Sequence, residues 1–183
     1  MNAATSKQVD LFSLLESQFI ASGICTNVKI ESDKAKEPIL WASSSDELLK
    51  ILDILKSNSI FQFDFLSDIT AYDNVDKKDG PKRFVLVYQL FSTIFHTRMR
   101  VKIQVDTHES VSSLVNLWPS ANWAEREVFD MYGITFLGHP NLKRILMDDR
   151  FTGFPLRKEY PIKQREPFST NVEIFLPTKK ETL

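Results

Sequence analysis

A single cysteine, Cys25, stands among 183 residues, which excludes an internal disulfide and any framework of paired cysteines. A reducing compartment and a small buried thiol at position 25 are the corresponding expectations. Glycine is also scarce, at 5 residues, and no G-x-G-x-x-G or G-x-x-x-x-G-K-[ST] run occurs, so nucleotide binding by those routes has no support. No stretch approaches about 18 apolar residues free of charge, so any attachment to a membrane runs through a partner. The opening stretch, positions 1–30, holds neither a basic start followed by an apolar block nor an Arg-rich amphipathic leader, and no targeting segment is expected. A strong charge of one sign is missing too. The net charge is −1, too balanced for a general nucleic-acid binder that works by neutralising phosphates.

What the chain does have is phenylalanine, 14 residues of it, within a hydrophobic fraction of 43% and a charged fraction of 26%. That is the composition of a folded domain with one sizeable core. Charge is weakly polarised along the chain, at −5 over residues 1–80, +1 over 81–138 and +3 over 139–183.

Hydrophobic spacing predicts the elements. Leu11, Leu14, Leu15 and Phe19 fall on one side of a first helix that Gly23 can stop, and TNVKIE and EPILWA read as short strands. Ser44 and Glu47 form an S-x-x-E capping box ahead of Leu48, Ile51, Leu52 and Leu55 at helical spacing. The segment FQFDFLSDITAYD holds a helix exit and then an extended piece, and NVDKKDGPKR a surface turn. FVLVYQLF is apolar on both faces, as an internal strand is, while Met99, Val101, Ile103 and Val105 alternate with Arg98, Arg100, Lys102 and Gln104. The short STIFHT link makes these two strands an antiparallel hairpin. ESVSSLVNLW, through Val111, Leu114 and Val115, and ANWAEREVFDMYG, through Ala124, Val128 and Met131, read as two helices broken near Pro119, the second ending at Gly133. The expected fold over residues 1–138 is a two-layer α+β domain, helices on a mixed or antiparallel sheet.

Residues 139–183 change character. Prolines at 140, 155, 161 and 167 exclude one long helix or a central strand, yet bulky apolar residues continue throughout. Fixing about twenty such residues in one path costs on the order of 20–40 kcal/mol of backbone entropy, so the segment needs another surface against which to repay it.

Candidate sites are few. Glu127 and Asp130 share a helix face with Trp123, a conceivable acid/base pair for a small standalone hydrolase, but Arg126 can pair with Asp130 at i,i+4. His96, His108 and His139 have no second ligand at metal spacing, and no C-x-x-C accompanies them. His139, between Gly138 and Pro140, suits a rigid corner with a hydrogen-bonding imidazole. Lys143, Arg144, Arg150, Arg157, Lys158, Lys163 and Arg165 are interleaved with Asp148, Asp149, Glu159 and Glu166, a pattern of paired interface charges rather than of a phosphate-tracking groove.

The words EREVFDMYGITFLGHPNLKRILMDD and GFPLRKEYP carry a resemblance. They are similar to the thirty-kilodalton subunit family of proton-pumping NADH:quinone oxidoreductase, respiratory complex I. The match runs through Glu125, Arg126, Glu127, Asp130, Gly133, Gly138, His139, Pro140, Leu142, Arg144, Ile145, Leu146 and Asp148, then Gly153, Pro155, Leu156, Arg157, Lys158 and Pro161. Phe154 stands where a histidine is frequent in the family, and Glu159 and Tyr160 where aspartate and phenylalanine are common.

The resemblance implies a peripheral-arm subunit without cofactor of its own, non-catalytic, with FMN, iron–sulfur clusters and quinone held by its partners. Those partners are the quinone-site subunit of the forty-nine-kilodalton type and the cluster-bearing subunits, with no nucleic acid and no direct membrane insertion. Its place is the cytoplasmic side of a bacterial inner membrane. Related membrane-bound hydrogenases and photosynthetic NAD(P)H-like complexes use subunits of the same type. The expectation is that residues 125–166 form the docking surface, with Arg144, Arg157 and Lys158 as register contacts, so that Arg157→Glu harms assembly more than domain stability.

Overall fold

The computed structural model describes residues 29–32 and 37–161. The first expected helix, Cys25 and the chain beyond Pro161 lie outside the described residues.

Five strands form one mixed sheet in the order β1-β2-β5-β4-β3. They are β1 (Lys29–Ser32), β2 (Pro38–Ala42), β3 (Phe65–Asp73), β4 (Phe84–Ser92) and β5 (Thr97–Val105). All pairs are antiparallel except β2 with β5, which run parallel because the helix α1 (Ser45–Ser57) carries the chain across between β2 and β3. The expected β4–β5 hairpin is present, with Leu86 opposite Ile103 and Tyr88 opposite Val101.

The alternation in β5 works as read. Met99, Val101, Ile103 and Val105 are buried with Leu90, Tyr88, Leu86 and Phe84 of β4 on one sheet face. On the other face Val85 and Val87 are buried too, which accounts for a β4 apolar on both sides.

Helix α1 covers the core face with Leu48, Ile51, Leu52 and Leu55, each worth roughly 1.5–3 kcal/mol of burial. Its start is fixed by the capping box. The Ser44 hydroxyl accepts the Glu47 amide at 3.2 Å, and the Glu47 carboxylate reaches back to accept the Ser43 amide at 2.6 Å.

One expected helix is not there. Ser110–Ser112 forms strand β6, paired in parallel with β7 (Thr135–Leu137), and residues 114–118 make a single turn in which the Leu117 and Trp118 amides donate to the Leu114 carbonyl. Val111 and Leu114 are buried, as the apolar spacing required, but a strand followed by a turn satisfies that spacing as well as a helix does. Tertiary pairing decides between them. The Ser112 amide donates to the Ser45 hydroxyl and the Ser113 amide to the Leu137 carbonyl, bonds that a helix over these residues would forgo.

The second helix, α2 (Ala121–Tyr132), packs against β3 and ends at Gly133, whose left-handed φ of 73° turns the chain into β7. The described residues thus form the expected two-layer α+β domain. None of its helices is long and apolar enough to cross a membrane.

Candidate functional site: the second helix and the strap along it

Residues 139–161 contain no helix or strand, yet they follow a defined path. This strap begins beside the first turn of α2 and tracks the helix toward its end. The His139 imidazole meets the Asn122 carbonyl at 3.1 Å through Nε2, while its Nδ1 accepts the Asn141 amide at 3.0 Å. The second bond requires an unprotonated Nδ1, so the neutral ring carries its proton on Nε2 and donates to Asn122. The expected rigid corner is formed in this way.

One turn further along, Arg126 donates from Nε to the Lys143 carbonyl at 3.0 Å and from Nη2 to the Arg144 carbonyl at 3.2 Å. Its guanidinium also lies over the Trp123 ring. Arg126 therefore does not pair with Asp130, contrary to the i,i+4 expectation. Unpaired strap carbonyls claim it first.

Asp130 is fully buried, and four donors surround its carboxylate. Oδ2 accepts the amides of Ile145, Leu146 and Met147 at 3.0, 2.8 and 2.9 Å, and Oδ1 accepts Arg144 Nη1 at 2.9 Å. Burial alone would raise the Asp130 pKa. The three amides and the Arg144 charge outweigh it and hold the group below the ordinary carboxylate range. Arg144 is shared, since its Nη2 donates to the Gly153 carbonyl at 3.0 Å and ties the two halves of the strap together.

At the C-terminal end of α2 the orphan carbonyls of the last turn need donors, and the strap supplies them. The Leu156 amide reaches the Met131 carbonyl at 3.2 Å, and Arg157 Nε the Tyr132 carbonyl at 2.7 Å. A cation there also complements the helix dipole. The Arg157 guanidinium rests on the rings of Phe154 and Phe84. Its side chain is only 14% exposed. Beyond it, the Lys158 amide donates to the buried Asp73 carboxylate at 2.9 Å, and Arg83 bridges Asp73 and Glu159.

Glu125, five positions before Asp130, points elsewhere. Its oxygens accept the Ser113 hydroxyl and the Leu114 amide, both at 2.6 Å, and so cap the turn after β6. Burial pushes its pKa up. The two hydrogen bonds only partly offset that. Glu125 and Asp130 are thus opposite cases, one a carboxylate held reluctantly and the other a carboxylate the fold demands. A folded pKa above the unfolded value of about 4.5 favours folding at low pH, and that contribution is lost as pH rises through the folded value. Glu125→Gln keeps an acceptor for Leu114 and gives Ser113 a donor. It is expected to leave stability at pH 7 within about 1 kcal/mol of the parent, or above it, and to gain on the parent as pH rises past 4.5. Urea unfolding between pH 4 and 8 checks this; a loss of roughly 3 kcal/mol at pH 7 would show that the charge itself is required.

The remaining predicted residues are placed as follows. Glu127 is exposed and makes no ion pair among the described residues, while Asp130 is buried with both oxygens occupied. The two therefore form no acid/base pair, and the hydrolase reading fails. Asp148 bonds Arg150 within the strap, at the surface. Pro140 and Pro161 are exposed, Pro155 is half-buried, and the Lys158 side chain faces outward. Arg144 and Arg157, expected as register contacts to another subunit, make their contacts inside the chain, so Arg157→Glu would act on the strap first. Residues 139–161 lie along this chain's own helix. Asp73, Arg83, Phe84 and Ser113 were not expected in the site. Asp73 lies 85 residues from its strap partner, and nothing local to it signals the contact.

Alongside these buried charges, four large apolar side chains face solvent: Trp123 on α2 at 65%, Leu137 on β7 at 59%, and Leu146 at 60% and Leu156 at 51% on the strap. No group of three or more His, Cys, Asp or Glu side chains is placed to hold a metal ion among the described residues.

The class these features define is an α+β domain whose buried charges latch its own C-terminal strap and leave an apolar surface around it. The family model for the 30 Kd subunit of respiratory-chain NADH dehydrogenase matches residues 42–166, and the chain belongs to that family. An NADH-quinone oxidoreductase subunit from Cereibacter sphaeroides is 45% identical over 116 residues, 63% of this chain and 56% of that protein. The NADH dehydrogenase [ubiquinone] iron-sulfur protein 3 of Beta trigyna is 40% identical over 130 residues, 71% of this chain and 66% of that protein. The chain thus spans little more than half the length of the first bacterial relatives it matches. Among solved structures, a chain of the membrane-bound sulfane sulfur reductase, an archaeal respiratory membrane complex, superposes with a TM-score of 0.63 at 21% identity, covering 80% of this chain and 86% of that one. The fold is shared with it.

Proposed function

We propose that the chain is a structural subunit of the peripheral arm of an NADH:quinone oxidoreductase of the complex I type, without independent catalysis. It positions a quinone-site subunit of the forty-nine-kilodalton type and cluster-bearing subunits for electron transfer from NADH to quinone coupled to proton translocation. FMN, iron–sulfur clusters and quinone belong to those partners, and the chain sits peripherally on the cytoplasmic side of a bacterial inner membrane through them. Family membership supports this reading. So does the latched strap, which carries Leu146 and Leu156 outward on a backbone already fixed, so that docking costs little further ordering. Within the span 125–166, Glu125, Arg126, Asp130, Gly133, His139, Arg144 and Arg157 shape the docking surface from beneath. Glu127, Pro140, Asp148, Pro155, Lys158 and Pro161 lie on it beside the exposed apolar groups.

The test is a Trp123→Glu/Leu146→Glu double variant, purified gently from native membranes. Partner subunits are expected to fall by roughly tenfold or more in the eluate while the thermal midpoint of the isolated chain stays near the parent's. Unchanged co-purification would remove the surface from the interface. Recovery instead with a quinone-site homologue carrying a nickel motif would move the chain to a membrane-bound hydrogenase.

A further inference from the structure

A second apolar cluster lies at the other end of the sheet. The strap reaches β3 and β4 at Asp73, Arg83 and Phe84, whereas Phe65, which opens β3, pairs with Phe91, the last residue but one of β4. Around that far end Ile60 is 42% exposed, Phe65 51%, Ile94 57% and Phe95 44%. The cluster is tied together. Asp64, next to Phe65, accepts the Thr93 amide at 2.8 Å and the Thr93 hydroxyl, which fixes the start of β3 to the β4–β5 turn that holds Ile94 and Phe95. The Trp118 indole donates to the Asp64 carbonyl at 3.1 Å, and the Phe95 amide to the Ser92 hydroxyl at 3.2 Å. The turn contains no glycine. A side chain docking here meets a surface already ordered, and four exposed large apolar side chains at one end of a domain are a liability unless something covers them.

Charge selects what covers them. Phe65, Phe91 and Arg98 form one row across β3, β4 and β5 on one sheet face. The Arg98 guanidinium lies over the Phe91 ring, exposed and without an ion-pair partner among the described residues. Asp64, just before β3, is occupied by Thr93. One free cation beside an apolar cluster fits a single carboxylate next to an apolar anchor. An anionic lipid surface calls for several cations. In a two-fold contact centred on this tip, Arg98 would face its own copy.

We propose that the β4–β5 hairpin tip is a second docking surface, which takes a protein segment presenting an apolar side chain within one helical turn of an Asp or Glu. This rests on the chain being a subunit of a larger assembly. It makes the chain a bridge with partners at both ends of its sheet.

The test places the photo-cross-linker p-benzoylphenylalanine at Ile94, and separately at Leu146, of the full chain assembled in native membranes. At position 94 the expected adduct is with another protein subunit, at a segment where mass spectrometry finds an apolar residue within about four positions of an acid. Arg98→Glu and Arg98→Gln are expected to cut its yield by roughly tenfold and Arg98→Lys to preserve most of it. A lipid adduct, an adduct to a second copy or to residues 1–28 of the same chain, or a yield indifferent to Arg98 would overturn the inference. So would no adduct at 94 alongside one at 146, which leaves the strap surface standing. An adduct at 94 with none at 146 upholds the hairpin tip and overturns the strap surface instead.

Discussion

Asp130→Ala is expected to cost about 3–5 kcal/mol of folding stability and to release the strap at residues 143–147. The magnitude follows from what is left behind. The substitution removes the acceptor for three amides and for Arg144, whose side chain is only 18% exposed. An unpaired cation and three donors must then find water or pull the strap off the helix. Asp130→Asn should recover little, because an amide offers one oxygen where two are used and turns its nitrogen toward either Arg144 or the three amides. Because Asp130 has a lowered pKa, its contribution is present above its unfolded value of 3.8 and is lost as pH falls through the folded value. The parent should therefore lose stability toward acid more steeply than either variant. Hydrogen exchange at Ile145, Leu146 and Met147 reads the release directly: protection unchanged in Asp130→Ala would refute the latch.

The dependence on Asp130 explains why the strap's path is hidden in the sequence while the domain is not. Helix α1 and the β4–β5 hairpin are written locally: a capping pair three residues apart, four apolar positions at helical spacing, a strict alternation over β5. Each of those signals is closed within about a dozen residues. Residues 110–118 carry an apolar spacing that two conformations satisfy, and partners outside the segment, Ser45, Glu125 and strand β7, choose between them. The charged words of α2 and the strap are legible as a set of paired groups, but a charge pattern states that a partner exists and not which chain supplies it. Arg144 and Arg157 illustrate this. As surface residues they would suit contacts to a neighbouring subunit, yet half-buried against Asp130, Phe154 and Phe84 they make their contacts within the chain. The parallel placement of β2 beside β5 is likewise invisible in the sequence, because it depends on the whole crossover through α1.

Gly133→Ala should be nearly as damaging as losing Asp130, at the other end of the same helix. Two costs combine. The residue has φ of 73°, a conformation that costs an L-residue roughly 1–2 kcal/mol. A Cβ there would also stand 2.5 Å from the Phe154 ring and 2.7 Å from Arg157 Nη2, so the ring and the guanidinium stacked on it must shift, an overpacking cost of about 1–3 kcal/mol. The shift matters because Leu156 and Arg157 supply donors to the last carbonyls of α2, and moving Phe154 carries both away from Met131 and Tyr132. A double-mutant cycle with Phe154→Ala separates the terms, since removing the ring abolishes its clash and leaves the backbone strain. Gly133→Ala in the Phe154→Ala background is expected to cost about 1–2 kcal/mol, clearly less than in the parent. Strict additivity would mean that the ring has room to yield and that the tight fit of strap to helix end is not what makes glycine necessary at position 133.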